Sequence, residues 1–509
     1  MVMQPLTASE LQDSSSEGES TLEEDSDVES SSSEDSTLSE EDTEDPAHLV
    51  SEWTSKNGQI WFPSNDATLR YVAPGRGLIP GPTNYATTRI HDVKSSFDLF
   101  FTAEIISIIV QMTNLQGRRS VANWSDVDAT DIQAYIGLLI LAGVYRSKGE
   151  STRSLWDDHT GRAIFRASMN HTKFRLINAN IRFDDKLTRP SRHREDKLAP
   201  IRCVWEMWTH RLPMLFNPQE DVCVDEQLVP FRGRCKFRQY MPSKPAKYGL
   251  KIWVTADVAT SYAWRCQVYT GKGAGSAVEV GQGKRVILDM TKGLEGVTVT
   301  CDNFFTSYSL VQELLKRKVA LVGTIRKNKP ELPPKLLQMR GRAILSSLFA
   351  FTNNTTAVSY IPKRGKNVIL LSSKHREPAV TDDEKRKPVI IMEYNHCKGG
   401  VDNLDKVVGT YSCRRKTYRW PQVLFCNMID ISAFNAFVIF TATDPSWKQG
   451  KSYRRRLFLE ELGKSLVLDE IARRRRLPRT LAAATAVLKT FMAMIDPSLR
   501  STFSESGTF

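Results

Sequence analysis

Residues 221–229 read DVCVDEQLV. Valine alternates with other residues up to an adjacent pair of acids, the two-residue period of a strand. Working outward, KIWVTADV (251–258) and AWRCQVYT (263–270) are strand-like as well. VTVTCDNFF (297–305) predicts a fourth strand that ends on an acid. SYSLVQELLKRK (307–318) has the spacing of an amphipathic helix, and VALVGTI (319–325) is another strand. On the other side, LFFTAEIISIIVQMTN (99–114) and DATDIQAYIGLLILAGVY (128–145) carry apolar residues at helical spacing, the second opening on Asp and Thr caps. Further helices are expected around 162–183 and 199–216, with the folded body starting near Phe97.

Downstream, residues 326–388 are basic and punctuated by Pro, with TAVSYIP and VILLSS as short strand candidates. PVIIMEYN (388–395) reads as a returning strand, and GGVDNLDKVVGTY (399–411) as a helix opening after two glycines. RWPQVLFCNMIDISAFNAFVIFTAT (419–443) is long and apolar enough for a buried helix, and the rest is basic and helical to about 495. Three strands, a strand, a helix and a strand is the order of the first half of a ribonuclease-H-like sheet. The expected fold class is therefore α+β and multidomain. The reading is a disordered acidic tail over 1–50, an extended segment over 51–96 and a helical unit over 97–219. A catalytic sheet domain over 220–325 and 389–412 follows, carrying an insertion at 326–388. A second helical part covers 413–495 and a short tail 496–509.

The charge is uneven. Residues 1–50 hold sixteen Asp or Glu and no Lys or Arg, so the remaining chain has 70 basic against 42 acidic side chains, a balance of +28 within a whole of +12. A body that basic attracts polyanions, with nucleic acid the foremost partner. Serines followed by acids in the tail suit an acid-directed kinase. The eight cysteines include no CxxC pair, which excludes a zinc knuckle or disulfide framework and suggests a reducing compartment. The apolar run Ala134 to Tyr145 spans about a dozen residues, short of the roughly twenty a membrane crossing needs, so no membrane partner is expected.

Four acids are candidates for chemistry: Asp225 in VCVDEQ, Asp302 in VTCDNFF, and Asp402 and Asp405 in GGVDNLD. Phosphodiester cleavage is served by two cations about 4 Å apart, and hard cations want carboxylate oxygens gathered from different elements. The i, i+3 spacing of Asp402 and Asp405 puts both on one helix face. Singly, each has a plainer explanation. Asp225 with Glu226 also reads as a strand-end surface pair, Asp302 as a helix cap, and Asp402 and Asp405 as charges favourable at a helix start.

At these residues the sequence resembles the piggyBac-type DNA transposases. VDEQLVPFRGR, MPSKPAKYGLK, TCDNFFTS, VGTIRKNKP, YNHCKGGVDNLD and CRRKTYRWP stand in that family's order, and the resemblance runs from about Trp53 to Trp447. It implies a ribonuclease-H-like catalytic domain whose three-aspartate site falls on Asp225, Asp302 and Asp402, with Asp405 as an auxiliary acid. It also implies two Mg²⁺ ions with Mn²⁺ as substitute, action as a homodimer on transposon ends, hairpin intermediates, integration at TTAA, and a nuclear location. A helical dimerisation and DNA-binding domain would be split around the catalytic core. Many members finish with a Cys/His-rich zinc domain, and here no cysteine follows Cys426. The competing expectation is a domesticated, catalytically silent DNA-binding protein.

Basic side chains interleaved with aromatics bind phosphates and stack on bases. Arg232, Arg234, Lys244 and Lys247, with Tyr240 and Tyr248 nearby, are DNA-contact candidates on that ground. Arg326 and Lys329 after a strand, and Arg414, Arg415 and Lys416 after the DNLD helix, complete the set. The run ARRRR ending at Arg476 suits nuclear import or DNA binding.

Overall fold

The computed structural model describes residues 52–64, 78–271 and 279–495. The expected tails at 1–50 and 496–509 lie outside them. Folded structure starts well before Phe97. Trp53–Thr54 pairs with Ile60–Trp61 in a small antiparallel hairpin, and the Trp61 side chain is wholly buried, its indole N–H donating to the Glu331 carbonyl. Phe62 then bridges to Phe351, so this segment is fastened to the body by main-chain bonds.

The four longest helices of the first helical part are α1 Ala103–Ser120, α2 Ala129–Val144, α3 His171–Asn180 and α4 Arg202–Leu215, with shorter ones between them; the helix expected over 162–183 is broken, Ala163–Ser168 standing apart from α3. Asp128 caps α2 by accepting from the Asp131 N–H, while the Asp131 side chain returns a bond to the Asp128 N–H. Nearly every residue of α2 is buried, which explains an apolar run with no polar face.

The sheet follows: β1 Asp221–Pro230, β2 Tyr248–Asp257, β3 Ala263–Val268, β4 Thr298–Cys301 and β5 Ala320–Thr324. Between β3 and β4 lies α5 Gln282–Met290, which the sequence reading missed. Between β4 and β5 lies α6 Tyr308–Lys316, capped by Ser307, so Asp302 is not that helix's cap. The chain continues with β6 Ser347–Phe351, β7 Thr356–Lys363 and β8 Lys366–Ser372. β1 pairs antiparallel with β2 and parallel with β4, and β5 lies parallel beyond β4. β3 and the short strand Gln239–Tyr240 pair with the far side of β2. On the other flank β8, β7 and β6 extend the same sheet antiparallel from β5. Residues 326–388 thus lengthen the main sheet rather than standing apart from it.

The expected strand at 388–395 is a helix, α7 Val389–Cys397. Its β-branched residues favour a strand locally, but Pro388 precedes it in extended backbone and Ile390 and Ile391 are buried together. Glu393 is anchored by Lys374 at 2.6 Å and His375 at 3.0 Å, contacts that follow the end of β8. α8 Gly400–Thr410, α9 Trp420–Thr443 and α10 Arg454–Ala472 complete the core. α9 has the length and apolarity to cross a membrane, yet almost all of it is buried inside this protein.

α10 packs along α2, more than three hundred residues earlier, and two glycines set the distance. A Cβ on Gly137 would meet the Gly463 carbonyl at 2.8 Å, and one on Gly463 would meet the Leu141 side chain at 2.6 Å. A buried charge group ties the same joint. Asp131 and Glu470 are almost fully enclosed and are paired by Lys173 and Arg473. Arg474 donates to the carbonyls of Arg166, Ala167 and Ser168. Two of the four arginines in the ARRRR run therefore hold the helical parts together, while Arg475 and Arg476 are exposed.

Candidate functional site

The register of β1 and β4 builds the site. Val224 is level with Cys301 in the last rung of a parallel pair, and Asp225 and Asp302 are the residues that follow, Asp302 one residue past the end of β4. Alternation puts Cys223, Asp225 and Gln227 on one face of β1. α8 lies over that face. The Cys223 thiol donates to the Lys398 carbonyl at 3.2 Å, and a Cβ on Gly400 would come within 2.8 Å of the Cys223 Cβ. Gly400 therefore permits the approach that carries Asp402 and Asp405 to the sheet edge.

Each acid is held differently. Asp225 Oδ1 accepts from the Glu226 N–H at 2.8 Å, and Asp302 Oδ1 from the Phe304 N–H at 2.9 Å. Asp405 Oδ1 accepts from Gln227 at 2.5 Å, and Asn427 on α9 orients Gln227 by a 2.8 Å bond to its carbonyl oxygen. Asp402 is exposed at the mouth and accepts from Lys244 at 3.2 Å.

The electrostatics follow from crowding. Burial pushes the Asp225 carboxyl well above its usual range, with Glu226 and Asp302 adding to the rise and Lys244 opposing it. Asp302 is pushed up to about 6, by burial first and then by Glu226, against the pull of the Phe304 N–H, Lys251 and Arg326. Asp405 is likewise pushed up to about 6 by burial, against Gln227 and Lys244. Burial also raises the Tyr394 phenol, which feels both Asp302 and Asp225. The donors are all hard carboxylate oxygens, the kind that suits Mg²⁺ or Mn²⁺. Among the described residues, however, no three acidic, His or Cys side chains stand close enough to cage one ion as they are.

Glu226 is more than Asp225's surface neighbour: its carboxylate lies 3.5 Å from Lys251 Nζ and raises both Asp225 and Asp302. The Gln227–Asn427 brace joins residues two hundred positions apart and carries no local sequence signal.

The basic candidates separate into groups. Arg232 and Arg234 are exposed and line a concavity of about 470 Å³ with His193, Lys236, Arg238 and Trp420. Lys247 is exposed at a turn with φ of +53°, and Tyr240 and Tyr248 beside it are exposed with ring centroids 4.8 Å apart. Arg326 reaches Asn303 at 3.2 Å, next to Asp302, and Lys329 is half-buried in the same turn. Arg414 lines an open groove of about 400 Å³ together with Gln227, Lys244, Asp402, Asp405 and Asp430. Lys416 is exposed. Arg415 is turned inward, donating to Ser147 at 3.1 Å and to the Glu150 carbonyl at 2.5 Å, so its guanidinium joins two parts of the fold.

A family model described as Transposase IS4 matches residues 93–437. A cryo-EM structure of a piggyBac transposase synaptic complex with hairpin DNA matches with a TM-score of 0.75 at 35% identity, over 81% of this chain and 88% of that one. The human PiggyBac transposable element-derived protein 3 is 24% identical over 409 residues, 76% of this chain and 67% of that protein. The human PiggyBac transposable element-derived protein 2 is 24% identical over 426 residues, 77% and 68% of the two. Sheet, helices and these matches together define a transposase-type protein. The chain belongs to the piggyBac transposase family.

Proposed function

We propose that this protein cuts and joins DNA strands as a cut-and-paste transposase at TTAA sites. The sheet is read as ribonuclease-H-like, with Asp225, Asp302 and Asp402 as ligands for two Mg²⁺ ions, Mn²⁺ as substitute, and Asp405 as an auxiliary acid. The observation that carries this is that Asp225 and Asp302 each follow the last paired rung of parallel β1 and β4, with α8, which carries two further acids, packed on β1. Two cations held by these carboxylates would supply charge neutralisation at the phosphate and at the departing oxygen. The chain's own work is positional. Gln227 and Asn427 fix Asp405, the parallel register fixes Asp225 against Asp302, and Arg326 and Lys251 counter the charge beside Asp302. Water adds to phosphorus as the bond to the 3′ oxygen breaks; the freed 3′ hydroxyl attacks a phosphodiester of the opposite strand and displaces its 3′ oxygen; a second water opens that hairpin joint and frees the 3′ hydroxyl again; and this hydroxyl attacks the target, once more displacing a 3′ oxygen.

Arg232, Arg234, Lys244, Lys247, Arg326, Lys329, Arg414 and Lys416 are proposed to meet DNA phosphates, with Tyr240 and Tyr248 stacking on distorted bases. The split helical parts are proposed to form a homodimer on the DNA, in the nucleus, with residues 1–50 as substrate for an acid-directed kinase. The second reading is a catalytically silent DNA-binding protein that keeps the same fold and basic surface.

A nicking assay on TTAA-flanked duplex with Mg²⁺ separates the two. The parent protein is expected to nick, and Asp302→Ala is expected to lose nicking while keeping nonspecific DNA binding. An Asp302→Ala protein that nicks at the parent rate overturns the site assignment. A parent that nicks with neither Mg²⁺ nor Mn²⁺ supports the silent reading.

A further inference from the structure

The acid cluster already contains a cation of its own. Lys244 Nζ lies 3.2 Å from Asp402 Oδ1, and its side chain is 20% exposed against 65% for Asp402. The residue sits in a tight loop. The Lys244 N–H donates to the Met241 carbonyl at 3.2 Å, the Lys247 N–H to the Lys244 carbonyl at 2.9 Å, and the Met241 N–H to the Lys247 carbonyl at 2.8 Å. That loop closes the hairpin formed by Gln239–Tyr240 and the start of β2.

A positive charge set among carboxylates offsets their mutual repulsion. An ammonium and a divalent ion that neutralise the same carboxylate compete for it. Lys244 also faces the groove shared by Asp402, Asp405 and Arg414, where a phosphate backbone would meet it as a point charge.

We propose that Lys244 is a resident counter-ion of the acid cluster: it holds Asp402 in the metal-free protein and releases it as a divalent ion enters, so that metal binding frees the Lys244 ammonium for a DNA phosphate. The proposal rests on the metal-site reading given above. By linkage the effect is reciprocal: DNA that draws Lys244 away tightens metal binding by the same factor that metal tightens DNA binding.

The test is calorimetric titration of Mn²⁺ into the full-length protein without DNA, for the parent, Lys244→Met, Lys244→Gln and Asp225→Asn. Fluorescence anisotropy of a labelled duplex with and without Ca²⁺ gives the coupling. Both Lys244 variants are expected to bind Mn²⁺ about tenfold tighter than the parent, and the Ca²⁺-induced gain in DNA affinity is expected to shrink toward none, a change within the usual range of site-to-site coupling. Thermal melts check that each variant is folded, and using two substitutions guards against one that is not. Lys244 variants that bind Mn²⁺ no tighter than the parent, or that keep the full Ca²⁺ gain, overturn the proposal. If Asp225→Asn binds Mn²⁺ as the parent does, the metal-site reading itself has failed and the proposal falls with it.

Discussion

Burial pushes the Asp302 and Asp405 carboxyls from an ordinary 3.8 up to about 6. A raised carboxyl binds its proton more tightly in the folded protein than in the unfolded one. Between about pH 4 and pH 6 the native state therefore holds more protons, and stability falls as pH rises through that window. Each unit corresponds to roughly 1.4 kcal/mol before solvent screening. Melting temperature is expected to drop between about pH 4 and pH 6, and Mg²⁺ is expected to restore it at the upper pH but not the lower. The drop should be smaller in Asp302→Asn; an equal drop in that variant would place the titration elsewhere. The four aspartates stood out in the sequence because short distinctive motifs surround them. Glu226 and Gln227 did not, because what gives them a role is Lys251, Asp302 and Asn427, met only across strands and helices.

At the scale of elements, strand and helix patterns were read well where one period dominated. β1, β2, β3, β4, β5 and α6 stand within a few residues of their expected places. α7 was misread because PVIIMEYN carries strand propensity while its partners, β5 and β8, decide for a helix. α5 was missed because its short run GKRVILDM follows a glycine-rich stretch and offers few apolar positions to count. α8 yields a prediction of its own. Gly400→Ala adds a Cβ within 2.8 Å of the Cys223 Cβ, so α8 must shift from the sheet. Stability should fall by roughly 1–3 kcal/mol in urea denaturation, with DNA nicking reduced more than DNA binding. An unchanged urea midpoint together with full nicking would mean that α8 can tilt without moving Asp402.

For the molecule as a whole, the charged group at Asp131 joins distant parts of the chain. Arg473→Ala leaves the buried Asp131 and Glu470 with Lys173 as their remaining partner among these four. The expected loss is on the order of 2 kcal/mol, below that for stripping a buried acid of every counter-charge because Lys173 stays. Arg475→Ala should change stability little, and equal losses in the two variants, measured by denaturant midpoint, would show that the arginine run acts only as a block of charge.

The packing of α2 against α10 also bears on how the protein is made. α2 is almost entirely apolar and leaves the ribosome roughly 300 residues before the helix that covers it, a delay of about 15–60 s at ordinary synthesis rates. Throughout that interval the face that meets α10 waits uncovered on a nascent chain, although α1 and α3 can already cover other parts of the helix. Production of this protein is thus tied to chaperone supply, and a chain halted within the sheet would be left sticky and open to proteolysis.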